Sequence, residues 1–432
     1  MRIDPRFHVV VVLATASLIC GSVLLFNLFV DPFGMYRLFE TDGSHAAKPA
    51  AYRRVKLAKA YDLRRIEPEA IVLGTSRSHV ALRMMHDGWK VPLGRRYNAA
   101  FDGATTKEMD AYLRHAHAVH PLRQVVLGLD FWQLGYGAAW TRKDFDPSIL
   151  FEPEKPLHNA AVYATDLSLL VSIDTTKASI ALLRNGDSGG PQWLAPDGQR
   201  LGDVFFRRIE PAYSSSPGSY FRDIDRQEIG FMLDTGPAVP TAPRKLAPAA
   251  SHPVLTSFDY IAKIIEFCRD KDIDLRIFIT PAHAHQLEIA KQLGGWPAIE
   301  RGKRDLVDLL YRDALGHPGS AAFPLYDFEG YSSVTSEHVP PDGSRSEMRY
   351  YWDSSHFKEN VGDWILDRLF GTEREGDPVP DDFGVRLMPA TIDAALDKIR
   401  TDQSVYQRDQ PDEVRFITSL IHQIKLERLA AR

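Results

Sequence analysis

Cysteine is almost absent from this chain: there are two, Cys20 and Cys268. Cys20 lies inside an apolar run and Cys268 inside a segment of helical spacing, so no bridge between them is expected. That excludes the small disulfide-stapled folds without fixing the compartment. An excess of charge of one sign is lacking too, since 52 basic and 57 acidic residues leave a net −5. A general nucleic-acid binder would carry a basic face, so nucleic acid is not an expected partner. No internal repeat is seen. What remains is 432 residues, 44% hydrophobic and 25% charged, enough for one large globular domain with insertions or for two domains.

Long hydrophobic runs are lacking as well, with one exception. Phe7 to Val30 reads FHVVVVLATASLICGSVLLFNLFV, in which only His8 is ionisable and Asn27 is the one strongly polar residue near the end. About 20 such residues cross the hydrocarbon core as a helix. A cleavable signal would have a shorter apolar region closed by a small-x-small site. This run instead closes on Phe29-Val30-Asp31-Pro32, bulky and then helix-breaking. Arg2 and Arg6 precede it, so the positive-inside bias leaves the N-terminus in the cytoplasm. The expectation is a single-pass protein of the cytoplasmic (inner) membrane. Its main domain would be extracytoplasmic, in the periplasm.

Residues 31–68 are polar and basic, and read as a linker plus an exposed helix with a solvated charged face. Beyond them, short continuous apolar runs alternate with helical patterns. Strands are expected at Ala70–Gly74, Arg96–Ala100, Gln124–Asp130, Asp274–Thr280 and Ala321–Phe328. Runs of this kind belong to a parallel sheet covered on both faces. The expected fold is therefore α/β: a three-layer, doubly wound domain over 69–370 with a mainly parallel five-stranded sheet. About 120 residues, 135–254, separate the third and fourth strands and read as an insertion over the carboxyl ends of the strands. The tail, 371–432, opens with loop residues and ends in two amphipathic helices.

Two short motifs carry the chemistry. Gly74-Thr75-Ser76 follows the first strand and opens a helix, where backbone N–H groups can face a developing oxyanion. Alone, such a serine is more often a helix N-cap than a nucleophile. Asp353-Ser354-Ser355-His356 follows the fifth strand, and an Asp three residues before a His can orient the imidazole as a base. One motif follows the first parallel strand and the other the last, so both face the same end of the sheet.

These residues resemble the SGNH (GDSL-like) hydrolase superfamily. Its Gly-x-Ser nucleophile block matches Gly74-Thr75-Ser76 and its closing Asp-x-x-His block matches Asp353 to His356. The resemblance covers about residues 69–134 and 255–370. It implies Ser76, His356 and Asp353 as catalytic residues, with the N–H groups of Ser76 and of the second-block glycine, Gly103, as oxyanion donors. The third block is usually Gly-x-Asn, but this chain has Gly128-Leu129-Asp130. A carboxylate donates only when protonated, so Asn98 becomes the candidate third donor. With its N-terminal anchor the chain is similar to the envelope branch of the superfamily, which includes alginate O-acetylation and teichoic acid D-alanylation proteins. That similarity implies acyl esterase or acyltransferase chemistry on a cell-envelope polysaccharide beside a multi-span membrane acyltransferase, with no metal or organic cofactor. The alternative is a non-catalytic glycan-binding or scaffold subunit.

Other signals are weaker. Gly186-Asp187-Ser188-Gly189-Gly190-Pro191 spells a trypsin-like nucleophile motif, but the histidines of such enzymes precede the serine and the fold is all-β. Arg77, Asp130 and His283 are candidate substrate contacts on the functional face. For Arg77 the favoured reading is a pair with a surface acid, and for His283 and His285 an equally good one is a structural role at a helix start. His115, His117 and His120 share a helix at spacings that do not bring all three to one face, so no metal site is expected there.

Overall fold

The structure, a computed structural model, describes residues 5–39, 48, 54–135, 137–185, 193–235, 255–372, 374 and 376–431. The N-terminal part of the chain holds α1 (Pro5–Val30), α2 (Val55–Ile66), β1 (Ala70–Leu73), α3 (Ser76–Ala81), β2 (Arg96–Asn98), α4 (Thr106–Val119) and β3 (Gln124–Leu129). Then come α5 (Pro156–Leu170), α6 (Ile173–Asn185), α7 (Pro217–Thr235), α8 (Ser257–Asp270), β4 (Asp274–Ile279), α9 (Ala284–Gln292) and α10 (Trp296–Gly316). The last are β5 (Leu325–Asp327), α11 (Glu359–Phe370), β6 (Val385–Arg386), α12 (Ile392–Asp409) and α13 (Pro411–Ala430). The chain divides into two compact units.

The first unit gathers Met1–Glu67, Arg114–His120 and Asp144–Gln192. Its α1 is long and apolar enough to cross a membrane over Arg6–Val30. The helix stops where Pro32 follows, and the Asp31 carboxylate accepts from the N–H groups of Met35, Tyr36 and Arg37 at 2.7, 3.0 and 2.7 Å. The exposed, solvated helix expected within 31–68 is not found: α2 is largely buried, with Lys56, Lys59 and Tyr61 all below a tenth exposed. Long-range partners explain the difference. Lys56 pairs with Asp144 at 2.8 Å, and Arg64 bridges Asp166 at 2.7 Å and the Ile149 carbonyl at 2.6 Å. Tyr61 donates to the other Asp166 oxygen at 2.5 Å. Buried charge is tolerated when it is paired in this way.

The second unit, Pro68–Leu113, Pro121–Lys143 and Trp193–Arg432, holds the sheet, in the order β2-β1-β3-β4-β5-β6. The first five strands are parallel, as expected. Among the described residues the sheet has six strands rather than five, because β6 adds antiparallel to β5 through Tyr326↔Arg386 and Asp327↔Val385. Two residues are too few to leave a periodic signal, and they fall in a stretch that reads as loop. β1 and β3 are buried along their whole length, which accounts for their unbroken apolar sequence. The chain crosses from β1 to β2 on one side and then back past β1 to β3 on the other. That reversal leaves a crevice at the carboxyl ends of β1 and β3, where folds of this kind bind ligands.

Residues 135–254 do not behave as a single insertion. Asp144–Gln192 belongs to the first unit, whereas α7 belongs to the second. The Gly-Asp-Ser-Gly-Gly-Pro segment and the Pro/Ala-rich stretch after α7 lie outside the described residues. The tail ends in two helices as expected, and Ile417, Leu420, Ile421 and Ile424 of α13 pack with Ile229 of α7 and Ile289 of α9.

Candidate active site

The turn after β1 can form only because two glycines let α3 settle against the sheet. A Cβ on Gly74 would lie 2.3 Å from the Ser78 Oγ, and a Cβ on Gly128 of β3 would meet the same atom at 2.3 Å. On Gly74 the added carbon would also meet the Ser78 Cβ at 2.7 Å and so displace the first turn of α3, whereas on Gly128 it would meet the Phe278 ring at 2.7 Å. Thr75, not Ser76, is the N-cap of this helix, and its hydroxyl also donates to Asp130 at 2.9 Å. The capping role that a serine here could fill is thus taken, and the Ser76 side chain is left to face the other motif.

That motif is a tight turn wound around Asp353. Its Oδ1 accepts from the backbone N–H groups of Ser355 and His356, both at 2.8 Å, and the flanking Tyr351 and Phe357 form an antiparallel bridge. His356 turns its Nδ1 to the Asp353 oxygens at 2.9 Å and its Nε2 to the Ser76 Oγ at 2.8 Å. The carboxylate sets the tautomer. Nδ1–H donates to Asp353, so Nε2 accepts the Ser76 proton. Asp353 is fully buried, while His356 is part-exposed. The structure therefore brings Ser76, His356 and Asp353 into one hydrogen-bonded chain across 280 residues of sequence.

The oxyanion residues divide. Gly103 lines the same cleft as Ser76 and has φ +59°, a left-handed conformation that favours glycine. Asn98 is overturned as the third donor. Its amide hydrogens go to the carbonyls of Ser78 and Leu82, each at 3.0 Å, and its oxygen accepts from the Ala100 N–H at 3.1 Å. It ties α3 to β2, and it has no hydrogen left for a substrate.

Asp130 and Arg77 explain each other. Arg77 is buried and meets no surface acid: Nη1 lies 3.6 Å from Asp130 Oδ1 and donates to Thr280 at 3.1 Å, while Nη2 donates to Gln286 at 2.5 Å. Asp130 accepts from Thr280 at 2.7 Å on one oxygen, and from Thr75 and Trp132 at 2.9 and 3.2 Å on the other. A carboxylate stands here because a buried guanidinium needs a counter-charge. Both residues line the cleft, but their polar atoms bind β1, β3 and β4 to one another, which leaves little for substrate contact.

His283 is also overturned as a substrate contact. It is buried, caps α9 by accepting from the His285 N–H at 3.2 Å, and lies 2.8 Å by Nε2 from the Glu337 carbonyl. Burial, with His285 beside it, holds its pKa well below the usual value, so it is neutral. His285 has the opposite fate, gripped at 2.8 Å by Asp225 and at 3.2 Å by Glu413. In the first unit, His115 is neutral too. Burial lowers its pKa to about 4, and its ring meets the Ala60 carbonyl and the Phe151 N–H at 2.9 and 2.8 Å.

The cleft beside Ser76 measures about 370 Å³, within the range of small-ligand sites. Its wall includes residues that carried no motif: Trp132 and Trp140 beyond β3, and Glu228, Phe231 and Met232 of α7. Glu228 accepts from Ser355 at 2.8 Å, and Ser355 in turn accepts from Gln286 at 2.7 Å. Burial raises the Glu228 pKa above the ordinary value, against the pull of Arg77 and the Ser355 hydrogen bond. Nothing local marks it, since it is one acid in an amphipathic helix. Only the facing turn gives it a role.

Comparison of the chain with protein-family models, with curated proteins and with solved structures finds no match.

Proposed function

We propose that the chain is a membrane-anchored serine acyl esterase or acyltransferase of SGNH type, moving acyl groups to or from a cell-envelope polysaccharide. The observation that carries this reading is the Ser76–His356–Asp353 chain, with links of 2.8 and 2.9 Å at the carboxyl ends of parallel strands. The reading also takes α1 as a membrane span, the second unit as a three-layer doubly wound domain, and its side as extracytoplasmic.

In the mechanism, His356 Nε2 takes the Ser76 proton as Oγ bonds to the ester carbonyl carbon. The carbonyl π pair moves to oxygen, for which the N–H groups of Ser76 and Gly103 are the proposed donors. Asp353 stabilises the imidazolium. Collapse breaks the bond to the leaving alcohol, which takes the proton from His356. Acyl-Ser76 then passes to water or to a sugar hydroxyl by the same steps reversed. The tryptophans of the cleft suit the apolar faces of a sugar ring. A multi-span acyltransferase would deliver the acyl group.

A serine-reactive fluorophosphonate on the full-length chain in detergent tests this. Wild type labels, and Ser76→Ala and His356→Ala do not. A folded wild type that stays unlabelled refutes the enzyme reading and leaves a glycan-binding or scaffold subunit.

A further inference from the structure

In the first unit, α5 and α6 form a helical pair joined by two residues, Val171 and Ser172, and both helices pack on α1. The packing has a definite level along α1. From Arg6 to Cys20 every residue of α1 is exposed, whereas Asn27 and Val30 are buried. Asn27, the one strongly polar residue near the end of the run, is what holds the pair there. Its Nδ2 donates to the Leu170 carbonyl at 2.6 Å and to Thr176 at 2.9 Å, and its oxygen accepts from Ser179 at 2.8 Å.

That level matters because α1 offers 25 residues to a membrane whose hydrocarbon core takes about 20. A span centred in the bilayer therefore carries its last two turns within the leaflet and headgroup region on the far side, and the helix pair is fixed beside those turns. The outward surface of the pair suits that position. Leu157 and Leu167 lie on one face of α5, which Val171 continues just beyond its end, where an amphipathic soluble helix would carry charge, and Leu157 is 87% exposed. On α6, exposed Ile173, Ile180 and Leu183 alternate with Asp174, Lys177 and Arg184. Apolar stems of basic residues lie along acyl chains while their charges reach anionic headgroups. Residues 156–185 hold four Asp, Glu, Lys or Arg, fewer than the 25% charged share of the whole chain would give, and one of the four, Asp166, is already paired with Arg64.

We infer that the α5–α6 pair is a second membrane element, seated in the leaflet beside the end of α1 with these apolar faces against lipid. The occupant is a lipid surface continuous with the one around α1, and the inference rests on the reading of α1 as a span.

The test uses the full-length chain in vesicles of phosphatidylethanolamine and phosphatidylglycerol, labelled on a single exposed cysteine with an environment-sensitive fluorophore. The native Cys20, exposed on α1, reports the span. Leu167→Cys and Ile180→Cys, each with Cys20→Ser, report the pair. Cys268 is buried, and the Cys20→Ser chain without a new cysteine controls for it. Lipids spin-labelled high on the chain are expected to quench positions 167 and 180, with blue-shifted emission, while deep-labelled lipids quench Cys20. Quenching of Cys20 with water-like emission at 167 and 180 overturns the inference and keeps the anchor. Blue-shifted emission at 167 and 180 without lipid quenching means that a second copy of the chain covers the face, which also overturns it. Absence of quenching at all three positions removes the anchor and the inference together.

Discussion

Asp130→Asn separates the two roles that this position could have. As a third-block residue it would serve the oxyanion, and an amide would serve better. As the structure has it, Asp130 is the counter-charge of Arg77, both about 5% exposed and 3.6 Å apart, and it accepts three further hydrogen bonds. An asparagine keeps one acceptor oxygen and turns an NH2 group toward donors, so it loses the charge and one side of the network. Breaking a buried pair costs about 3–5 kcal/mol, and the retained oxygen places this change near the lower end, about 3 kcal/mol. That is roughly two powers of ten in the folding equilibrium. The assay is denaturant unfolding of the full chain in detergent, for wild type, Asp130→Asn, Arg77→Gln and the double variant. The double variant is expected to cost clearly less than the sum of the singles, because each single strands the other group. A wild-type-like Asp130→Asn that labels faster with the fluorophosphonate would refute this account and return position 130 to the oxyanion site.

Asn98→Ala removes two buried amide donations and is expected to cost about 1–3 kcal/mol of stability. The fluorophosphonate labelling rate of the folded fraction should hold, whereas a large loss of that rate would restore Asn98 to the site. The His285 imidazole gives a pH signature. Burial alone would lower its pKa, but Asp225 and Glu413 outweigh burial and raise it to about 9. The stabilisation is therefore fully present below the ordinary value near 6.5 and is lost as pH rises through 9. Unfolding midpoints should fall across that window, and His285→Gln should flatten the fall.

The sequence alone determined those features that depend on neighbours along the chain. An apolar run of this length is a helix that can cross a membrane whatever surrounds it. The continuous apolar strands β1 and β3 announce a parallel sheet because both of their faces are buried. Gly74-Thr75-Ser76 and Asp353 to His356 each fold as local turns, so their distance in sequence did not hide them. Tertiary structure decided everything that depends on a distant partner. The basic residues of α2 read as solvated until Asp144 and Asp166 arrive to bury them. Asn98 and Asp130 each look available for an oxyanion or a substrate until the carbonyls of α3 and the guanidinium of Arg77 claim them. His283 and His285, two residues apart, become neutral and charged because one meets a carbonyl and the other two carboxylates. Glu228 joins the cleft only because α7 packs against the turn that carries Ser355. Backbone periodicity is written locally, but the state of a polar side chain is set by whichever groups the fold brings within about 3 Å of it.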